Sequence, residues 1–404
     1  MRKLLCLILL TAVPLLVQAQ QAAQAQPAAQ QYVAQTDHYR VISEISQSQA
    51  DDLSRRMEAA LSLYNGIFHF DLSQLPARFN VKMFRDLDGF NAYVSAIISQ
   101  TRTDFVFISW SDPSKSELLC FPKEDAAFTS SLLHQGLIQF LKGFIDNAPL
   151  WLREGVATYL DASTFDPATT TFTFHANLAW LDGLKANLRG ETPEKMIPFM
   201  DLLGFTRDMA QAHQELFLEE SWGLVHFLLS SPQPEYNRIL WDSISSLSPK
   251  ASLEDNSTAV RKRAFSWTPD QKLLQDFQAF MSSVKTGNDL VRDGVDQYTK
   301  GDLAGAEQTL GKAITLQPDS SAAWYYLGLI AYARHDYPKA DDLYMKAFQL
   351  GANAAAINYA LGVNAYAAGR NADAAKYLKF ARDANPVVYG DKVDVLLKRL
   401  ESSK

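Results

Sequence analysis

The last third of the chain repeats its small and apolar residues every 34 positions, and this period limits what that part can fold into. In each unit a glycine, a tyrosine, two alanines and one large apolar residue recur in the same phase. The five columns are Gly294, Gly328 and Gly362; Tyr298, Tyr332 and Tyr366; Ala306, Ala340 and Ala374; Leu310, Tyr344 and Leu378; and Ala313, Ala347 and Ala381. Repeats of this length are typical of stacked helix pairs, because one pair cannot bury its own apolar face and needs neighbours.

Two further features indicate the type of repeat. Pro318 and Pro386 share one phase in the first and third units, and the middle unit contains Trp324-x-x-Leu327-Gly328. Together with the five columns, this pattern resembles the tetratricopeptide repeat (TPR). Proteins with that repeat bind other proteins, so the resemblance implies a protein-binding role for this part of the chain.

The resemblance also implies an architecture and a binding surface. It predicts an all-α solenoid of three units over residues 287–386, followed by a capping helix over residues 387–404. In such arrays the first helix of each unit lines a concave groove, which here would take other proteins or peptides. The nine inward positions would be Val291, Val295, Tyr298, Tyr325, Leu329, Tyr332, Tyr359, Val363 and Tyr366.

The tyrosines at these positions allow two interpretations. Tyrosine suits a binding groove because it offers a large apolar area with a polar tip. Tyr325 and Tyr359 are predicted to face the groove, whereas Tyr298, Tyr332 and Tyr366 fit the groove and the packing between helices equally well. The lysine and asparagine set with which some family members hold a peptide's terminal carboxylate is missing here.

The part of the chain before the repeats mixes strand and helix patterns, which predicts an α+β domain over residues 37–285. Apolar or alternating runs predict strands at residues 38–45, 79–84, 105–110 and 117–122, and a hairpin at 166–174. Apolar residues spaced by three and four predict helices at residues 49–68, 87–99, 129–145, 149–160, 176–187, 198–203, 215–230, 236–246 and 270–284.

Two of these helical patterns contain chemically suggestive residues. The first covers Ser130–Phe140, and the second covers Pro149–Leu160 with the sequence Pro-Leu-Trp-Leu-Arg-Glu-Gly-Val-Ala-Thr-Tyr-Leu. With the later Glu220–Leu228, they resemble the active-site helices of the gluzincin metallopeptidases, in particular the peptidase-MA-like domains of bacterial exported proteins. The resemblance implies a metallopeptidase-like fold for residues 37–285.

The family's zinc site depends on four positions, and two of them are changed in this chain. The family has His-Glu-x-x-His on the first helix and a ligand glutamate on the second, and its first glutamate is the general base. By resemblance, His134 and Glu154 match the first and third ligands. Gln135 occupies the general-base position and Ile138 the second ligand position, and neither can do the chemistry. We therefore predict no catalytic residue and no cofactor, with His134 and Glu154 as vestigial ligands.

In an alternative interpretation, the domain still hydrolyses peptides with a zinc ion. One of the later histidines, His175, His213 or His226, could complete a zinc site with His134 and Glu154. The chain would then be a zinc-dependent peptidase with a rearranged active site. The simultaneous loss of the base and of one ligand favours the inactive, pseudo-metallopeptidase interpretation.

The N-terminal sequence pattern predicts that the protein is exported. The basic pair Arg2-Lys3 precedes a short apolar run, and small residues up to Ala19 suit cleavage there. Residues 1–19 are therefore a predicted signal peptide, which implies a periplasmic or extracellular protein without a transmembrane segment in the mature chain. Glutamine and alanine dominate residues 20–36, which we predict to be a flexible leader.

The net charge limits the kinds of partner, and the cysteine content bears on the core. The 404-residue chain has a net charge of −7 and no long basic run, so we expect no nucleic-acid partner. Cys120 would be the one cysteine left after cleavage, and its apolar neighbours predict a core residue. The combined prediction is an exported protein-binding adaptor or scaffold, in which an inactive metallopeptidase-like domain accompanies a tetratricopeptide array.

Overall fold

One five-stranded sheet organises the N-terminal unit. The computed structural model describes residues 30–402, and the chain divides into two units, Met1–Met281 and Ser282–Lys404. The strands of the sheet are β1 (Tyr32–Gln35), β2 (Tyr39–Ser43), β3 (Phe79–Met83), β4 (Val106–Ile108) and β5 (Glu117–Cys120). Their order across the sheet is β1-β2-β3-β5-β4, with β2, β3 and β5 parallel and the two outer strands antiparallel to their neighbours.

The inner strands are held in register by a row of apolar residues. Val41 in β2, Val81 in β3 and Leu118 in β5 lie side by side and are buried. Because side chains alternate between the faces of a strand, a slip of one residue would expose this row. Parallel strands need a crossover connection, and α1 (Gln47–Phe68) supplies it between β2 and β3.

The helices that follow the sheet contain His134 and Glu154. The first of them, α3 (Asp125–Phe144), packs against α1, β4 and β5, and α4 (Leu150–Leu160) packs against α3 and α8 (Gln214–Ser230). The other elements of this part are α2 (Leu87–Ile98), the hairpin strands β6 (Thr164–Asp166) and β7 (Thr171–Thr173), and helices α5 (Leu181–Leu188), α6 (Phe199–Leu202), α7 (Arg207–Ala212), α9 (Pro234–Ser245), α10 (Leu253–Val260) and α11 (Asp270–Ser283).

The prediction of a flexible leader over residues 20–36 is wrong at its C-terminal end. Tyr32–Gln35 form the edge strand β1, in which Ala34 is buried. The prediction rested on the glutamine and alanine composition, which does not reveal the backbone hydrogen bonds that the segment gains by pairing with the next strand, β2. Residues 1–29, with the predicted signal peptide, lie outside the described residues.

Three consecutive helix pairs and one terminal helix form the C-terminal unit. The pairs are α12 (Gly287–Thr299) with α13 (Leu303–Leu316), α14 (Ser321–Ala333) with α15 (Tyr337–Gln349), and α16 (Ala354–Ala367) with α17 (Asn371–Ala384); α18 (Pro386–Ser402) packs against α17. Between residues 30 and 402, no helix combines the length and the apolar composition needed to cross a membrane.

Close contact within each pair explains why glycine recurs every 34 residues. A Cβ added at Gly294 would lie 2.6 Å from Leu310, and one added at Gly328 would lie 2.5 Å from Tyr344. The third unit repeats this contact between Gly362 and Leu378, at 2.7 Å. The glycine column and the large apolar column are therefore two sides of one contact, in which the first helix approaches the second too closely for any side chain.

Candidate functional site

Two parts of the structure are candidate sites, and the first is the cleft beside His134 and Glu154. His134 lies on α3 and Glu154 on α4, and their side chains meet at 3.0 Å between Nε2 and Oε2. The other carboxylate oxygen, Oε1, accepts a hydrogen bond of 2.8 Å from Nε of Arg153. Both oxygens of Glu154 are therefore occupied by side chains of the protein itself.

The position of α4 is fixed by glycine packing. A Cβ at Gly155 would lie 2.4 Å from the backbone oxygen of Ser221 in α8, so the two helices touch along their backbones. On α3, Gly136 likewise leaves room for the hydroxyl of Tyr64, which donates to the carbonyl of Leu133. The glycines beside Glu154 and Gln135 thus have packing roles that are independent of any chemistry.

The two side chains shift each other's pKa. Burial alone would raise the pKa of Glu154, but the hydrogen bond from His134 and the nearby Arg153 lower this pKa to about 2. Burial would lower the pKa of His134, but the Glu154 carboxylate outweighs it and the pKa is raised. Burial also raises the pKa of the neighbouring Asp161 to about 6.

Gln135 and Ile138, at which the sequence departs from the metallopeptidase pattern that it resembles, have the following surroundings. The side-chain oxygen of Gln135 accepts a hydrogen bond of 3.2 Å from the backbone N–H of Phe107 in the edge strand β4. Ile138 lies on the wall of the cleft, which has a volume of about 770 Å³. Gln135 therefore ties α3 to the sheet edge.

The residues present do not fit a zinc ion. Within residues 30–402, no group of three or more histidine, cysteine, aspartate or glutamate side chains could hold a metal. The three later histidines lie elsewhere: His175 meets the hydroxyl of Thr164 at 3.1 Å, His213 lies 3.9 Å from Glu194, and the ring of His226 stacks on Trp222. None of them joins His134 and Glu154, and two protein ligands fall short of the three that catalytic zinc sites use.

The second candidate site is a surface formed by the first helices of the repeat units. Helix α12 contacts α14, and α14 contacts α16, so these three helices form one continuous layer. All nine predicted groove residues lie on them and are half-buried: Val291, Val295, Tyr298, Tyr325, Leu329, Tyr332, Tyr359, Val363 and Tyr366. Half-burial gives each side chain one part in the core and one part in solvent.

Tyrosine rings join the first unit to the second, and the third unit to the terminal helix. The ring centroids of Tyr298 and Tyr326 lie 5.6 Å apart, and those of Tyr325 and Tyr326 lie 5.5 Å apart. Tyr359 contacts Tyr389 of α18 at 4.9 Å. We call Tyr298, Tyr325, Tyr326, Tyr359 and Tyr389 the tyrosine face.

Sequence reasoning missed two members of this face. Tyr326 directly follows the predicted groove residue Tyr325, and this aromatic neighbour is the sequence feature that could have indicated it. Tyr389 lies in the first turn of the terminal helix. Tyr332, in contrast, contacts Tyr337 of the second helix in its own unit, with centroids 6.2 Å apart. This contact places part of the Tyr332 ring between helices, which is one of the two interpretations that the sequence left open.

Three tyrosines of the face hold their protons more tightly than a free tyrosine does. Burial, together with neighbouring tyrosines, raises the pKa of Tyr298, Tyr325 and Tyr359 above the ordinary tyrosine value. Their hydroxyl groups stay protonated and can both donate and accept hydrogen bonds. The face can therefore bind through apolar ring area and neutral hydrogen bonds.

Comparisons with known proteins add little to this geometry. No family model and no curated protein matches the chain. One similar solved chain belongs to the CopN–Scc3 complex, with 16% identity, a TM-score of 0.26, and coverage of 41% of this chain and 98% of that one. Another belongs to the complex of the TPR2AB domain of yeast Sti1 with pHSP90, with 13% identity, a TM-score of 0.27, and coverage of 67% and 92%.

TM-scores this low carry no argument, so the repeat type rests on the chain's own helix pairs and their 34-residue contacts. The C-terminal unit is a helical solenoid that resembles tetratricopeptide proteins.

Proposed function

We propose that this protein is an exported adaptor that binds other proteins or peptides through its C-terminal unit and does not hydrolyse them. The observation that carries the proposal is the tyrosine face, in which half-buried rings of the first and second units contact each other and Tyr359 of the third unit contacts Tyr389 of the terminal helix. Tyrosine is enriched at the energetic centres of protein interfaces because it combines a large apolar area with a hydrogen-bonding tip.

The N-terminal unit would be a metallopeptidase-like domain that has lost its reaction. Two features support this part of the proposal: Glu154 is satisfied by His134 and Arg153, and Gln135 is committed to the backbone of β4. A general base must accept a proton, and a carboxamide cannot do so usefully. Export to the periplasm or the medium is part of the same proposal and rests on the N-terminal sequence pattern.

Affinity capture with matched variants tests the proposal. The immobilised full chain is exposed to envelope and secreted fractions of its own organism, and retained proteins are quantified by mass spectrometry. Tyr325→Ala combined with Tyr359→Ala should lower the retention of a specific partner about tenfold or more, because each truncation removes contact area at the centre of the face.

The control removes aromatic area elsewhere in the same unit. Phe348 and Phe380 lie on the second helices α15 and α17 and are exposed, at 42% and 54%. Phe348→Ala combined with Phe380→Ala should leave retention unchanged. The proposal would be contradicted if both double variants lost partner retention equally, or if the tyrosine variant retained partners as well as the unchanged protein does.

A further inference from the structure

The first helices of the second and third units contain no charged side chain. Helix α14 has the sequence SAAWYYLGLIAYA and α16 has the sequence AAAINYALGVNAYA. The nearest arginines, Arg334 and Arg370, follow these helices and form ion pairs with Glu307 and Asp341 on second helices. The centre of the layer therefore offers no unpaired charge to a partner.

The charges on the first helix of the first unit are also engaged. On α12, Asp289 pairs with Arg292 at 2.6 Å and Asp296 pairs with Lys300 at 2.6 Å. Asp293 pairs with Lys285. A charged side chain of a partner that became buried over α14 and α16 would lose its hydration and find no free counter-charge on these helices, which disfavours a charged side chain there.

The hydroxyl groups of the tyrosine face are free for a partner. Within residues 30–402, the hydroxyls of Tyr298, Tyr325, Tyr326, Tyr359 and Tyr389 hydrogen-bond to no protein group, and none of these oxygens is a buried, unsatisfied atom. A tyrosine hydroxyl can donate to a carbonyl and accept from an N–H. An α-helix satisfies most of its own backbone groups, whereas an extended segment leaves them open.

We infer that the tyrosine face binds an extended protein segment without charged side chains, and that its hydroxyls hydrogen-bond to the backbone of that segment. This inference rests on the proposed function and adds the chemistry of the partner. Apolar and amide side chains suit the rings, and the backbone suits the hydroxyls. Binding of this kind depends little on ionic strength, since no ion pair is screened.

Selection from a random library of short displayed peptides tests the inference on the purified full chain. Enriched peptides should be depleted of aspartate, glutamate, lysine and arginine in their central positions relative to the input library. The Kd of a synthesised, enriched peptide should change less than about twofold between roughly 0.05 M and 0.5 M salt.

A variant that lacks the hydroxyls distinguishes their contribution to binding from that of the rings. Tyr325→Phe combined with Tyr359→Phe keeps the ring area and removes two hydroxyls, so it should weaken binding of that peptide about tenfold. The Phe348→Ala and Phe380→Ala variant should bind as the unchanged protein does.

The outcomes distinguish this inference from the proposed function. Enrichment of charged peptides, a steep salt dependence, or no effect of the Tyr→Phe changes would overturn the inference and leave a protein-binding face in place. Failure to enrich any peptide whose binding depends on Tyr325 and Tyr359 would count against both.

Discussion

Glu220 on α8 is a fully buried carboxyl group with one unsatisfied oxygen. Its Oε1 accepts a hydrogen bond of 2.8 Å from the N–H of Ile197, whereas Oε2 has no partner. Burial raises the pKa of Glu220 from 4.5 to about 8. The folded protein therefore holds this proton more tightly than the unfolded chain does, and stability falls as the pH rises from 4.5 to about 8.

We predict that Glu220→Gln removes this pH dependence. The glutamine keeps the acceptor for the N–H of Ile197 and carries no charge. The free energy of unfolding of the variant should therefore rise relative to that of the unchanged protein, by about 1.4 kcal/mol for each pH unit in that window. Urea unfolding followed by tryptophan fluorescence measures the difference, since six of the seven tryptophans lie in the N-terminal unit. A constant difference between pH 5 and pH 8 would be incompatible with the assignment.

His226 lies six residues further along α8, and it makes the protein less stable as the pH falls, whereas Glu220 makes it less stable as the pH rises. Its ring is buried and stacks on Trp222, with centroids 5.2 Å apart and an interplanar angle of 11°. Burial lowers the pKa of His226 from 6.5 to about 4, so the unfolded chain takes up a proton first as the pH falls. The contribution of neutral His226 to stability is therefore lost as the pH falls from 6.5 to about 4.

His226→Phe should reduce the loss of stability in acid. Phenylalanine preserves the aromatic stack and cannot be protonated, so the free energy of unfolding should decline less steeply below pH 6.5 than in the unchanged protein, by up to about 1.4 kcal/mol per pH unit. The same urea titration, repeated at several pH values, measures this. Parallel pH profiles for the two proteins would show that His226 is not the titrating group.

At the scale of single elements, the helix pairs depend on their glycines. Alanine normally stabilises a helix relative to glycine, but a Cβ at Gly328 would lie 2.5 Å from the ring of Tyr344. We predict that Gly328→Ala destabilises the second repeat unit by about 1–3 kcal/mol, through overpacking. Hydrogen exchange of peptides from the C-terminal unit, read by mass spectrometry, measures the local change.

Gly311 is the matched control for that change. It also lies inside a helix, α13, but no atom lies within 4 Å of a Cβ added there. Gly311→Ala should therefore stabilise its helix by about 0.5–1 kcal/mol. If both substitutions shift exchange in the same direction, the close contact does not explain the glycine column.

Elements with a local signal were predictable from the sequence, and elements without one were not. The predicted strand at 79–84 is confirmed over Phe79–Met83, because its buried residues alternate. Strand β1 was missed because its stability comes from pairing with β2. Helix α10 was missed because Leu253–Val260 contains mostly polar residues, and its signal is the cap in which Ser252 accepts from the N–H of Asp255.

The cleft shows the same limit at the level of a site. Resemblance selected His134 and Glu154, whose positions follow from two motifs on adjacent helices. The bond from the N–H of Phe107 to Gln135 could not be predicted, because it joins residues 28 positions apart through the placement of α3 on the sheet edge. The place of His175, His213 and His226 likewise depends on tertiary packing.

For the molecule as a whole, the two units differ in how their polar groups are satisfied. In the N-terminal unit, the imidazole and carboxylate that resemble metal ligands satisfy each other. In the C-terminal unit, the hydroxyls of the tyrosine face have no protein partner among the described residues. This contrast fits the proposed adaptor, because the open polar groups lie on the surface that we propose binds a partner.

We therefore predict that the purified chain holds substoichiometric zinc and shows no chelator-sensitive cleavage of peptides. Metal analysis by mass spectrometry measures the first and a peptide library digest the second. Ile138→His, which adds a donor beside His134 and Glu154, is the comparison variant and should bind more zinc. Stoichiometric zinc in the unchanged chain that disappears in His134→Ala would establish the metallopeptidase alternative.

Site-specific photo-crosslinking in the native organism tests the central claim most directly. A photoreactive phenylalanine analogue is placed at position 325 or 359 in the tyrosine face, and at position 348 or 380 on the second helices as the control. We predict a discrete crosslink to another protein from the face positions and none from the control positions. Crosslinks of equal yield from all four positions, or none from the tyrosine face, would contradict the account.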